Sequence, residues 1–150
     1  MSIVQTQTTS FKAELYEGIH ALTTDTIKIA LYTANANLNA DTTVYSSSNE
    51  VSATTGASPY SAGGAILTPI TVSSSTSDYT AYVGFPNISW TGTITARCAL
   101  IYNASKGNKS IAVLDFGSDK TSSNFTITMP ANTSTTALDR KSTRLNSSHT

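Results

Sequence analysis

Alternation of apolar with other residues is the feature of this chain that most restricts its fold. Ile27, Ile29 and Leu31 occupy every second position, which predicts a strand with one buried face. Further segments of similar character follow, with Gly, Pro and Asn between them, over residues 44–51, 66–72, 79–85, 88–90, 93–102, 111–116 and 125–129. Six to eight short strands without helices between them favour a sandwich or a barrel over a parallel sheet.

The residues between these segments predict turns. Gly107 and Asn108 are typical of a hairpin turn between two neighbouring strands. Residues 54–64 and 117–124 are predicted to be loops, since they combine glycine with polar residues. Pro69 interrupts its segment, which indicates an edge strand or a bulge.

A change of period near the N-terminus predicts one short helix. Phe11, Leu15, Ile19 and Leu22 would lie on one helical face over about residues 10–22, with Thr9 or Ser10 as the N-cap. Residues 1–9 are predicted to be a flexible polar lead.

The prediction is therefore an all-β chain with one short N-terminal helix. We expect a β-sandwich, Ig-like or jelly-roll-like, in a single domain over residues 10–138. Its core is predicted to contain Ile27, Ile29, Leu31, Val83, Phe85, Trp90, Leu100, Val113, Phe125 and Ile127.

Composition argues against two classes of partner. Positive and negative side chains balance at nine each, so no basic excess is available to neutralise phosphates, and we expect no nucleic-acid partner. No apolar run approaches the roughly 20 residues of a membrane span, so we expect no membrane partner. About a third of the residues are Ser or Thr, which fits a half-buried pleated surface with a polar exterior.

The last twelve residues, 139–150, differ from the rest of the chain. They contain three of its nine basic residues and show neither helical nor strand periodicity. Their reverse translation resembles a sequencing adapter, so we interpret the segment as an artefactual tail on a metagenomic sequence; a natural basic tail is the alternative. A natural last strand beginning at Ala137 and Leu138 would then be lost.

No residues suggest a catalytic, cofactor-binding or metal site. His20 and Cys98 are the only histidine and cysteine outside the tail; His20 is expected to be partly packed or solvated rather than a ligand, and Cys98 to be a small buried residue. Asp115 and Asp119 could form a carboxylate pair, but Asp near a strand end more often caps a turn. The aromatic residues could form a sugar-stacking platform, and core packing is the commoner role.

Several stretches together carry a resemblance to a known family. They are residues 11–20 (FKAELYEGIH), 25–33 (DTIKIALYT), 60–64 (YSAGG), 93–103 (TITARCALIYN) and 112–117 (AVLDFG). This arrangement resembles the small virion structural proteins of tailed bacteriophages. The resemblance implies a non-enzymatic head-decoration or tail-associated protein without a cofactor. Its expected location is the virion, after assembly in the host cytoplasm, and its expected partners are other virion proteins and copies of itself. A carbohydrate- or receptor-binding module of a phage tail or fibre is the alternative, and an enzyme is a third, weaker one.

Overall fold

A computed structural model of the chain describes residues 3–77, 79–129 and 138–139, of which 80, 138 and 139 are described by their backbone. The elements, in chain order, are β1 (Thr6–Gln7), α1 (Thr9–Tyr16), β2 (Ile27–Tyr32), β3 (Ala65–Ile66), β4 (Thr71–Ser75), β5 (Thr80–Gly84), β6 (Ile88–Asn103), β7 (Lys109–Ile127) and β8 (Leu138–Asp139). They form a five-stranded sheet in the order β1-β7-β6-β2-β3 and a three-stranded sheet in the order β4-β5-β8, both antiparallel. The predicted all-β class with one short helix is confirmed; the Ig-like or jelly-roll-like sandwich type stays a prediction.

The β6–β7 hairpin supplies the two longest strands of the larger sheet. Its strands are 16 and 19 residues long, far above the usual five or six, and a single 3-10 turn joins them at Ala104–Lys106. Gly107 and Asn108 then adopt φ angles of 66° and 60°. Both residue types tolerate this left-handed region, so the predicted hairpin turn lies where the sequence places it.

The larger sheet is buried on both faces. Ile27, Ile29 and Leu31 face a core that includes Trp90 and the helix residue Phe11. Leu100 and Val113 belong to a second cluster on the opposite face, with Tyr32 and the loop residues Ala36 and Leu38. The loop after β2 therefore covers a sheet face that alternation alone would leave in solvent. Nine of the ten predicted core residues are buried, and Phe85 is half-buried against the first cluster.

The N-terminal segment differs from the prediction in two respects. Thr8, rather than Thr9 or Ser10, is the N-cap and accepts a hydrogen bond from the Phe11 amide; the helix ends at Tyr16, well short of residue 22. Thr6 and Gln7 are buried and pair with Val113 and Ala112, so the predicted flexible lead does not fit these residues.

In the part of the chain that the structure describes, no helix is long and apolar enough to cross a membrane.

One predicted strand and one predicted loop are also wrong. Residues 44–51 form only isolated bridges, because they cross the sheet face as a covering loop. Residues 117–124, predicted as a loop, lie within β7, which places four residues (116–119) opposite a single residue, Arg97, of β6. Gly117, with φ 83°, marks this bulge without ending the strand.

The predicted tail lies mostly outside the described residues, as do residues 130–137. Leu138 and Asp139 are the exception, since their backbone pairs with Val83 and Tyr82 of β5. The described strand β8 thus includes Leu138 and also Asp139, which the prediction assigned to the tail, while Ala137, where the last strand was predicted to begin, lies outside the described residues. The nature of residues 140–150 stays a prediction.

Candidate functional site

His20 lies in a polar network that ties the segment after α1 to the large hairpin. Its side chain is fully buried, with Nε2 2.8 Å from Glu14 Oε1 and Nδ1 3.0 Å from Asn103 Nδ2. Because the Asn103 amide can only donate, Nδ1 accepts and the ring proton lies on Nε2, where it is donated to Glu14. Both ring nitrogens are thus engaged within the protein, as expected of a packed histidine.

Asp25 extends the same network. Its Oδ2 accepts from Asn103 Nδ2 at 2.8 Å and from the Ala21 amide at 2.9 Å, and Lys106 Nζ lies 3.6 Å from Oδ1. Burial opposes ionisation of this carboxyl, but the two hydrogen bonds and the lysine outweigh it and lower its pKa. Each carboxylate oxygen has a donor, so the arrangement is that of a structural tie.

Cys98, on β6, is unsuited to be a nucleophile. The side chain is buried, and burial, reinforced by the negative charge of Asp115, raises the pKa of its thiol to about 12.

Asp115 and Asp119 do not act as a pair. Asp115 Oδ1 lies 3.2 Å from Arg97 Nε and accepts from the Gly117 amide at 2.9 Å, while Asp119 is exposed in the bulge. Among residues 3–77, 79–129 and 138–139, no three potential metal ligands cluster.

A cavity of about 320 Å³ lies between α1 and the smaller sheet. Its wall is mainly apolar and includes Phe11, Leu15, Val72 and Val83. This volume is at the lower end of the range for small-molecule sites, about 300–1,000 Å³. The His20 ring also reaches this wall, but its nitrogens are already bonded within the network.

A cluster of tyrosines around Glu50, which the sequence analysis missed, holds the covering loops on the larger sheet. Glu50 Oε1 accepts from the Tyr45 hydroxyl at 2.6 Å; Oε2 accepts from the Tyr60 hydroxyl at 2.5 Å and from the Gly63 amide at 2.8 Å. The Tyr60 oxygen in turn accepts from the Leu31 amide at 2.8 Å. One carboxylate therefore joins two further stretches of the loop after β2, at Tyr45 and at residues 60–63, and Tyr60 connects them to the inner strand β2.

Tyr102 completes this tyrosine cluster from β6. Its hydroxyl donates to the Gly63 carbonyl at 2.5 Å, and its ring stacks on that of Tyr45 with centroids 4.7 Å apart. Glu50 lies in a polar stretch, and its partners are 5 to 13 residues away in sequence. No local sequence pattern predicts such a cluster, because its tyrosines are widely spaced along the chain.

The tyrosines of this cluster are expected to ionise at unusually high pH. Burial raises the pKa of Tyr102 to about 12, and burial together with Glu50 raises the pKa values of Tyr32, Tyr45 and Tyr60. Their folded pKa values exceed the unfolded value of about 10, so their contribution to stability is complete below pH 10 and declines above it.

We expect four of the seven tyrosines to remain protonated in the native protein until it unfolds in alkali. Tyrosinate absorbance, recorded against pH with circular dichroism on the same samples, measures this. The denatured protein is the control. Ionisation of all seven tyrosines near pH 10 with the fold intact would contradict the geometry of the cluster.

The aromatic side chains do not form the platform that a sugar-binding surface needs. Tyr32, Tyr60, Tyr102 and Trp90 are each at most 2 % exposed. Tyr16 and Tyr79 are largely exposed, one at the end of α1 and the other just before β5. For the four buried rings, core packing is therefore the role that the structure supports.

The outer edge of β7 is only partly covered by a neighbouring strand in the described part of the chain. Strand β1 covers this edge at Ala112 and Val113, and beyond them β7 pairs with no other strand in the described part of the chain. A groove of about 710 Å³ follows the open stretch and is lined by Gln5, Leu114, Phe116, Lys120, Ser122 and residues 124–129. Backbone groups and apolar side chains are thus presented together along one edge.

Comparison with known proteins adds no relative. No protein-family model, curated protein or solved structure matches the chain.

Proposed function

We propose that this chain is a structural protein of a tailed-phage virion, head-decorating or tail-associated, that acts through protein–protein contacts. The observation that carries the proposal is the open outer edge of β7 with its adjoining groove. The resemblance of residues 11–20, 25–33, 60–64, 93–103 and 112–117 to phage structural proteins supports a virion as the particle in which such contacts would be made.

An open β edge is suited to assembly. It presents backbone donors and acceptors that another strand can satisfy, beside the exposed side chains of Ser122, Asn124 and Thr126 that line the groove. Over residues 120–127 the only charged side chain is Lys120, so a partner meets little charge to desolvate.

Neither alternative has an observation that favours it. A carbohydrate-binding module would present clustered exposed rings, whereas the clustered rings in the described residues are buried or, for Tyr45 and Phe116, partly buried. An enzyme would need groups free to act on a substrate. His20 and Asp25 instead share Asn103 as a hydrogen-bond partner, and Glu50 bonds to Tyr60 in a separate tie between segments.

Mass spectrometry of purified particles tests the proposal. We expect the intact protein in density-purified virions at many copies per particle, comparable with other repeated structural proteins. An abundant non-structural phage protein from the same infected cells is the control for contamination. Recovery of the chain only in the cell lysate, with particles free of it, would refute the structural role.

A further inference from the structure

The backbone of Asn124 faces the open side of β7. Asn124 lies opposite Thr91 of β6. The Thr91 amide donates to the Ser58 carbonyl at 2.8 Å, and its carbonyl accepts from the Thr54 hydroxyl at 2.6 Å. The backbone amide and carbonyl of Thr91 therefore point away from β7, so Thr91 and Asn124 form a non-hydrogen-bonded pair of the antiparallel ladder. In such a pair the amide and carbonyl of Asn124 also point away from β6, towards the outer edge of β7.

Within the described part of the chain, these outward groups make weak local bonds. The Asn124 amide donates to Ser122 Oγ at 3.1 Å, and the Asn124 carbonyl accepts from Thr126 Oγ1 at 3.4 Å. All three residues are exposed. Hydroxyl bonds of this kind compete with ladder bonds and are readily exchanged for them.

The charges on this edge select the direction of any pairing with a copy of itself. Lys120 is the single charge between residues 120 and 127, and the chain has no net charge to oppose association. In-register parallel copies would hold two Lys120 ammonium groups on adjacent strands about 5 Å apart. Antiparallel copies centred on Asn124 would separate them by about 26 Å, beyond the Debye length of about 10 Å.

We infer that the β7 edge pairs antiparallel with the same edge of a second copy about a two-fold axis at Asn124. Ser122 of each copy then lies opposite Thr126 of the other, and backbone bonds replace the local hydroxyl bonds of Asn124. The two larger sheets become one continuous sheet. The inference rests on the proposed assembly function, for which it names the self-contact.

Sedimentation velocity of the full chain over a concentration series tests the inference. We expect the wild type to reach twice its single-chain mass of 15.7 kDa as concentration rises. Asn124→Pro should abolish the increase, because proline removes an outward amide and leaves the β6–β7 ladder bonds in place. Circular dichroism checks that the variant is folded.

A pair of charge variants keeps the inference testable if proline disturbs the fold. Asn124→Lys and Asn124→Glu each place like charges opposite one another at the axis, so each alone should self-associate about fivefold more weakly. An equimolar mixture should associate more tightly than either variant. Ser48→Lys and Ser48→Glu, in an exposed loop, are the matched controls and should behave as wild type.

Two results would overturn the inference: a wild type that stays at single-chain mass throughout, or charge variants whose self-association equals that of the controls. A two-fold contact found in solution while particles lack the protein would refute the virion role alone. Protein found in particles that is strictly monomeric in solution would refute the self-contact alone.

Discussion

Replacement of Gly64 by alanine is expected to destabilise the protein by about 3–5 kcal/mol, a large part of a typical domain's total stability. Gly64 has a φ of 81° and packs directly against β2. An added Cβ would overlap the Ile29 carbonyl oxygen and lie 2.6 Å from the Ile29 carbonyl carbon and 2.8 Å from Ala30 Cα. These are backbone atoms of a central strand, so no side-chain rotation relieves the overlap.

Gly107→Ala separates the two causes of this loss of stability, which are the overlap of the added Cβ with β2 and the strain of a positive φ. Gly107 also has a positive φ, 66°, but its added Cβ would meet no atom within 4 Å. Only left-handed strain remains, at about 1–2 kcal/mol. Urea denaturation of both variants measures the difference. Equal losses would contradict the close approach of Gly64 to β2.

Replacement of Glu50 by alanine is expected to cost about 3 kcal/mol, since hydrogen bonds to a charged acceptor contribute about 1.5–3 kcal/mol each. The change leaves the Tyr45 and Tyr60 hydroxyls and the buried Gly63 amide without their acceptor. The tyrosine cluster should loosen with them, and the near-ultraviolet circular dichroism of its rings should weaken.

The matched variants for Glu50 are Glu50→Gln and Glu17→Ala. Glutamine keeps one acceptor oxygen, so Glu50→Gln should lose less stability than alanine at the same position. Glu17 is exposed at the end of α1, and its change should remain within about 0.5 kcal/mol. A Glu50→Ala variant as stable as Glu17→Ala would show that the carboxylate does not hold the covering loops.

The polar ties show where sequence reasoning reaches its limit. The packing role of His20 could be predicted, because an isolated histidine is more often packed than a ligand. Its partner Asn103 lies 83 residues away and could not be. The open edge of β7 was equally hidden, since glycine and polar residues over 117–124 indicate a loop as readily as an exposed strand.

The sequence by itself determined the all-β class, the buried alternating side chains and the hairpin turn at Gly107 and Asn108. These follow from local rules, namely the two-residue period of a strand and the tolerance of Gly and Asn for positive φ. Tertiary structure alone decided that the loop after β2 covers the second face of the larger sheet. It also decided that Glu50 gathers the tyrosines and that no described segment pairs with the edge of β7 beyond Val113, since each of these depends on contacts between segments far apart in the chain.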